Sequence, residues 1–343
     1  MTGELKVLEL FAGIGACSQA LTNLGIPHEI VDAVEIDSYA IRSFNAIHHT
    51  NFETQDITLW DKNIDVDLIM HGSPCQDFSV CGKGAGGDKG SNTRSSLMYE
   101  TIRIVGKLRP KYVIWENVKN LLSKAHKHNF DAYLSAMEAL GYTNYYKVLN
   151  ARDFGVPQNR ERVFTVSIRD DIDQTFEFPE PVPLTKCLED ILEDEVEERF
   201  YLSDKQLEGV EFKNPEVSFC LDANYHKGTN VNQYLKKHRR QIVRVGGLYD
   251  KNGSVHQAGS VYDPRGIAAT LSTMQGGNQE PIIKKDRVRR LTPKECWRLM
   301  SFPDDAFKRA KATGVSSSQL YKQAGNSIAV NVLQAILEKL LCQ

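Results

Sequence analysis

The 343-residue chain has no two cysteines in a C-x-x-C spacing; its seven cysteines are scattered. That absence argues against a zinc cage and against a disulfide framework, and it fits an intracellular, reducing setting, read here as the cytoplasm. No apolar run approaches the roughly 20 residues that a membrane span needs, and no signal-peptide pattern is present. A strong charge of one sign is missing as well. With Lys+Arg 42 against Asp+Glu 44 the net charge is −2, so the whole molecule is no electrostatic glue for polyanions and any such surface must be local. Two basic runs offer one: Lys236-Lys237-His238-Arg239-Arg240, and the stretch from Lys284 to Arg290 with five Lys/Arg. The acidic run from Glu189 to Glu198 reads as a solvated helix face. His48-His49 and His126-x-His128 lack matching Cys or carboxylate partners, so no metal is expected. No internal repeat stands out.

What is present is an ordinary globular composition, hydrophobic 41% and charged 25%. The length suits two domains, or one large domain with an insertion. Lys6 to Leu10 reads as a short strand and Phe11-Ala12-Gly13-Ile14-Gly15 as the turn after it. Cys17, Ala20, Leu21 and Leu24 then fall at helical spacing, with Gly25 as a C-cap. Strand, Gly-rich turn and helix make the nucleotide-binding opening of a doubly wound fold. Gly13-x-Gly15-x-x-Ser18 lacks the third glycine of the dinucleotide fingerprint. A second strand, Glu29 to Val34, ends in Glu35-Ile36-Asp37, and an acid about 20 residues past the turn is placed to accept hydrogen bonds from a ribose diol. A helix over Tyr39 to Ile47 follows, then a third short strand leading to Gln55-Asp56-Ile57. The pattern suits a nucleoside-containing cofactor, NAD or S-adenosylmethionine, and the missing glycine tilts toward the latter.

The stretch on which the chain turns is Gly72-Ser73-Pro74-Cys75-Gln76. The run Val66 to Met70 reads as a buried parallel strand, and Pro74 ends it. A thiol is thus left at the carboxyl end of a strand, where open α/β sheets bind their ligands. The Gly-rich segment from Cys81 to Gly90 beside it suggests a loop that closes over a substrate. A helix over Leu97 to Leu108 stops before Pro110. Lys111 to Trp115 is the next strand, closing on Glu116-Asn117-Val118, so a second ionisable group shares the rim with Cys75. After a helix over Phe130 to Leu140, two strands flank Gln158-Asn159-Arg160-Glu161-Arg162. The two arginines alternate on a strand and so point to one face, to bind an anion or base carbonyl or to pair with carboxylates. From Phe178 to about Lys285 proline punctuation and irregular Gly/Asn/Ser-rich sequence replace the βαβ rhythm. Helical spacing returns at Pro293 to Phe302. Gln323-Ala324-Gly325-Asn326-Ser327 then leads into an apolar helix, Ile328 to Leu341, expected to pack on the first domain's sheet.

In this order the motifs Phe11 to Gly15, Glu35, Asp56, Pro74-Cys75-Gln76, Glu116-Asn117-Val118, Gln158 to Arg162, Arg290 to Cys296 and Gln323 to Ser327 resemble the DNA cytosine-5 methyltransferases of bacteria and phage. The resemblance implies an α/β fold with a doubly wound mixed sheet of the S-adenosylmethionine-dependent methyltransferase type and a smaller, irregular β-rich target-recognition domain. The expected division is 1–178 plus 318–343 for catalysis and cofactor, and 179–317 for target recognition and a hinge. Cys75, as thiolate, would add to cytosine C6, with Glu116 at N3 and Arg160 or Arg162 favouring the thiolate. A free thiol titrates at about 8.5 and needs such help. The resemblance further implies S-adenosylmethionine, leaving as S-adenosylhomocysteine, on Phe11, Gly13, Gly15, Glu35, Ile36, Asp56, Pro74, Leu97 and Asn326. Ile36 stands where relatives often carry an aromatic. Double-stranded DNA would meet Ser79, Lys83, Arg94, Thr270 and Leu271, with the cytosine flipped out of the stack. A monomer is expected, any cognate restriction endonuclease acting separately. Three other readings compete: a tRNA cytosine-5 methyltransferase, a non-catalytic DNA-binding relative, and an NAD-dependent oxidoreductase. The long insert with basic runs argues against the first, the intact Cys75 and Glu116 motifs against the second, and Cys75, Glu116 and Asn326 together against the third.

Overall fold

The computed structural model describes residues 3–74, 94–201, 244–249, 255–262, 268–269, 282–285 and 287–342. Its centre is a six-stranded sheet of order β2-β1-β3-β4-β7-β5. The strands are β1 Leu5–Leu10, β2 His28–Val34, β3 Leu68–His71, β4 Tyr112–Val118, β5 Tyr142–Asn150 and β7 Glu161–Arg169. The first four run parallel, and β7 joins β4 and β5 in antiparallel register. Because side chains alternate across a strand, neighbouring residues feed opposite faces. Val7, Leu68 and Ile114 enter one apolar cluster, while Leu8, Ile69 and Val113 enter another.

Helices cover both faces. On one lie α3 (Met98–Leu108) and α4 (Lys127–Ala139), whose buried Ile104, Val105, Phe130 and Met137 pack with Trp115. On the other lies α1 (Ala16–Leu24), followed far along the chain by α5 (Pro293–Arg298), α6 (Asp304–Ala312), α7 (Ser317–Asn326) and α8 (Val330–Leu341). As expected, α8 returns to this sheet: Leu333, Ile336, Leu337 and Leu340 are buried in the same cluster as Leu5 and Val7. Burial of each such side chain contributes about 1.5–3 kcal/mol. The apolar packing also runs across residue 317, since Trp297 and Phe307 sit in that cluster and the Trp297 indole donates to Leu320 O at 2.9 Å. Gly25 caps α1 in the left-handed conformation, and α3 ends at Arg109, just ahead of Pro110.

Two expectations fail. The third short strand before Gln55 does not exist: between α2 (Ser38–His48) and β3 there is neither helix nor strand. The acidic run is not a helix face either. It holds only short 3-10 turns at Leu188–Ile191 and Glu198–Phe200, and Glu193 is drawn onto α5, 3.2 Å from Lys294 Nζ. β-structure does appear in the later stretch: β8 Arg244–Tyr249, β9 Val255–Tyr262, β11 Ile282–Lys285 and β12 Arg287–Arg290 form a four-stranded sheet. The dipeptide strands β6 (Gln158–Asn159) and β10 (Ala268–Ala269) pair in parallel, and Gln158 Nε2 donates to Leu299 O at 2.8 Å. Lys236 to Arg240, Cys75 to Gly90 and the polar loops at 224–232 and 275–278 lie outside the described residues.

Candidate active site

Since β1 to β4 are parallel, their carboxyl ends share one rim, and the functional side chains collect there. At the first end, Phe11 takes a positive φ of 53° and Gly13 and Gly15 follow at 56° and 80°. A Cβ at Gly15 would lie 2.1 Å from His48 Nε2. Glycine is therefore required, both by conformation and by the closeness of α2. His48 hydrogen-bonds Ile14 O at 3.1 Å, and burial lowers its pKa to about 4, which keeps the ring neutral.

At the second end Glu35 grips the glycine turn. Its Oε2 accepts from Gly13 N at 3.0 Å and its Oε1 from Asp37 N at 2.8 Å. Burial raises the carboxyl's pKa, with these hydrogen bonds opposing the rise. Each oxygen keeps a further lone pair for a diol. Beside it Ile36 is 71% exposed, an apolar side chain left open at the rim. Asp56 is half-buried, its Oδ1 accepting from Thr58 N and Thr58 Oγ1. The α7 helix is stitched to the same corner: Lys322 Nζ reaches Asp37 Oδ2 at 2.6 Å, and Gln323 Nε2 donates to Tyr39 O. Asn326 thereby stands exposed at the end of α7. Acceptors beside a glycine turn with open space over Gly13, where a Cβ would meet nothing within 4 Å, fit an adenosyl cofactor.

At the third end, His71 is buried, hydrogen-bonded to Tyr133 Oη at 2.9 Å and stacked on Trp115 at 5.6 Å. Burial pushes its pKa down to about 3. Ser73 is then fixed from β4: Trp115 Nε1 donates to its Oγ at 3.0 Å and Asn117 Nδ2 to its carbonyl at 3.2 Å. The sequence reading missed Trp115 and Ser73 in this role. The available signal was general: an indole buried in a strand needs an acceptor. Pro74 is partly buried at the end of this segment. Leu97, half-buried at the end of the 3-10 turn Arg94–Leu97, packs against the second cluster.

The fourth end carries Glu116. The strand does not stop before it, as expected, but runs on to Val118 through pairing with β7 alone. Arg162 lies opposite Val118, so its side chain shares a face with Glu116 on the diagonal. The ion pair Arg162 Nε to Glu116 Oε1 measures 3.0 Å, yet among the described residues the buried Oε1 has no hydrogen bond of good angle. A Cβ at Gly72 would lie 3.8 Å from Glu116 Oε2, so this carboxylate stands against the turn that leads to Cys75.

Arg160 meets different partners from Arg162, on the side of the sheet that α7 and α8 cover. It precedes β7 and is buried, its Nη2 donating to Ser327 O at 2.7 Å and Gly325 O at 3.3 Å. It holds the α7–α8 turn, while Arg162 meets the rim carboxylate. Cys75, Ser79, Lys83, Thr270 and Leu271 lie outside the described residues, and Arg94 is placed only by its backbone. Among the described residues no group of His, Cys, Asp and Glu is arranged for a metal ion, and no helix is long and apolar enough to cross a membrane.

The chain is 37% identical to the type II methyltransferase M2.ScrFI of Lactococcus lactis subsp. cremoris, over 98% of this chain and 99% of that one. It is 34% identical to M.HhaI of Haemophilus parahaemolyticus, over 98% and 94%. In shape it is similar to DNMT2 of Spodoptera frugiperda, with a TM-score of 0.70 at 21% identity over 98% and 99% of the two chains, a likeness of fold. The family model of the C-5 cytosine-specific DNA methylases matches residues 5–342. With its rim assembled as described and that match running through nearly its whole length, the chain belongs to the C-5 cytosine-specific DNA methylase family and is a DNA cytosine-5 methyltransferase.

Proposed function

We propose that the protein methylates C5 of a cytosine turned out of duplex DNA at a specific sequence, through a covalent bond between Cys75 and C6. The observation that carries this reading is Glu116, at the carboxyl end of β4, paired with Arg162 at 3.0 Å and set against Gly72 in the turn that leads to Cys75. Cytosine C5 is a poor nucleophile until a group adds at C6. The Cys75 thiolate forms the Sγ–C6 bond, and the displaced π pair moves toward N3, where Glu116 stabilises it by hydrogen bonding or proton donation. The pair then becomes available at C5. S-adenosylmethionine, when bound, supplies the methyl group as an electrophile and departs as S-adenosylhomocysteine. The C5 proton leaves to a base, and its bonding electrons expel the Cys75 sulfur.

Glu35 would take the ribose hydroxyls, and Asp56 the adenine amino group. Phe11, Ile36, Pro74 and Leu97 would give apolar contact, and Asn326 would line the methionine side. Extrusion of the base costs a few kcal/mol, which closure of the loop bearing Ser79, Lys83 and Arg94 would offset. Residues 179–317 would form the recognition unit and hinge, with Thr270 and Leu271 among the base-proximal residues and the basic runs on phosphates. A tRNA substrate is not favoured, because the family match is to DNA methylases.

Duplex DNA carrying 5-fluorocytosine at the target supplies the test, since fluorine cannot leave as a cation. The wild-type protein should become irreversibly attached to it, and Cys75→Ser should bind DNA and S-adenosylhomocysteine without attachment or methylation. Full methylation by Cys75→Ser would sink the covalent route.

A further inference from the structure

Between His49 and Asp67 the chain crosses the rim without helix or strand, yet it must present Asp56 at a fixed distance from Glu35. One side chain gathers it. Asp32, on β2 with its carboxylate 2% exposed, accepts from three side chains of this segment. Gln55 Nε2 lies 2.7 Å from Oδ1, Trp60 Nε1 2.8 Å from Oδ2 and Lys62 Nζ 2.7 Å from Oδ2. Gln55 also donates through Nε2 to Ala33 O at 3.0 Å and through its backbone N–H to Glu35 O at 2.9 Å. The donors thus flank Asp56 on both sides, and the strand that carries Asp32 ends one residue before Glu35. Asp56 accepts its two hydrogen bonds on Oδ1, and Oδ2 takes none among the described residues. Buried burdens of this kind are specific: a carboxylate out of water is tolerated only when donors saturate it.

We infer that Asp32 is a positioning residue for the cofactor's adenine, setting Asp56 Oδ2 against the exocyclic amino group by clamping Gln55, Trp60 and Lys62 to β2. The inference rests on the reading of Asp56 and Glu35 as cofactor ligands. Burial works against the Asp32 charge, but Lys62, Trp60 and Gln55 together hold its pKa below the usual carboxylate range. The clamp therefore persists at neutral pH.

The test uses calorimetric binding of two probes by the full chain: S-adenosylhomocysteine, and S-inosylhomocysteine, which has an oxygen in place of the amino group. Asp32→Ala leaves three side-chain donors and the Ala33 N–H without this acceptor, and affinity for the first probe should fall about tenfold, as expected for about 1.4 kcal/mol. Affinity for the second should change less than about twofold, because the contact that the clamp serves is already missing. Duplex DNA affinity should not move. Lys62→Met, which deletes one donor and keeps the aliphatic stem, should weaken the first probe about threefold and settles the matter should Asp32→Ala fail to fold. Equal weakening of both probes would make Asp32 a scaffold and overturn the inference, as would unchanged binding of the first. A wild-type chain that binds neither probe would instead remove the cofactor reading itself, and this proposal with it.

Discussion

A carboxyl group that serves a ring nitrogen must be held still without being used up. Glu116 meets that condition by geometry: a diagonal neighbour across β4 and β7 supplies the charge of Arg162, and Gly72 leaves the room. Glu116→Gln keeps the shape and removes the proton donor. It should lower the methyl-transfer rate in single-turnover assays by about 10²–10⁴-fold while S-adenosylhomocysteine binding stays at the wild-type level. Equal loss of both would place Glu116 outside the chemistry. Glu35 and Glu116 were legible in the sequence because each follows a short apolar run that could only be a strand. Their partners were not, because a glycine-turn amide or a diagonal arginine depends on register between strands distant along the chain. Asp32 gave no signal at all, being one acid inside a strand.

At the scale of elements, irregular segments were hardest to read. The strand expected before Gln55 rested on local composition; β2 is an edge strand, yet the chain meets it through Gln55 N–H to Glu35 O and through side chains on Asp32 rather than through a strand ladder. The segment runs instead from the carboxyl end of β2 at Glu35 to Lys6 at the start of β1, with Trp60 and Val66 buried in the second cluster. The partners of the arginine pair were equally hidden: Arg162 pairs with a carboxylate, as one reading allowed, but Arg160 reaches a turn far along the chain. Its actual work joins elements, because its guanidinium binds the carbonyls on either side of Asn326. Arg160→Ala would leave those carbonyls buried without their charged donor. Denaturant titration should show a loss of about 2–4 kcal/mol, and cofactor affinity should fall as Asn326 loses its place. By contrast α1, α3 and α8 were legible within a residue or two, since their caps and apolar spacing are local.

For the whole molecule, buried histidines and carboxyls among the described residues shape how stability depends on pH. Burial holds His71 at about 3 and His48 at about 4, against an ordinary 6.5. The unfolded chain takes up these protons first, so their contribution is complete above 6.5 and is lost as pH falls toward those values. Glu9, buried beneath Ser18, is pushed up to about 7. Its contribution has the opposite sense: it is present below the ordinary 4.5 and lost as pH rises through 7. Glu35, also raised by burial, acts in the sense of Glu9, but the two imidazoles titrate in the unfolded chain across this whole range, so the melting temperature should climb between about pH 4.5 and 6.5. In Glu9→Gln the climb should be steeper, and the variant should gain on wild type above about pH 7; differential scanning calorimetry across pH reads both. The return of α8 to β1 also bears on how the molecule is made. Asn23 and Gln334, 311 positions apart, are hydrogen-bonded across that contact. A ribosome adding about 5–20 residues per second exposes the sheet's unclosed face for tens of seconds before its last helix emerges. Newly made chains should therefore lean on chaperones during synthesis, and α8 supplied as a separate peptide should dock onto a chain that lacks it.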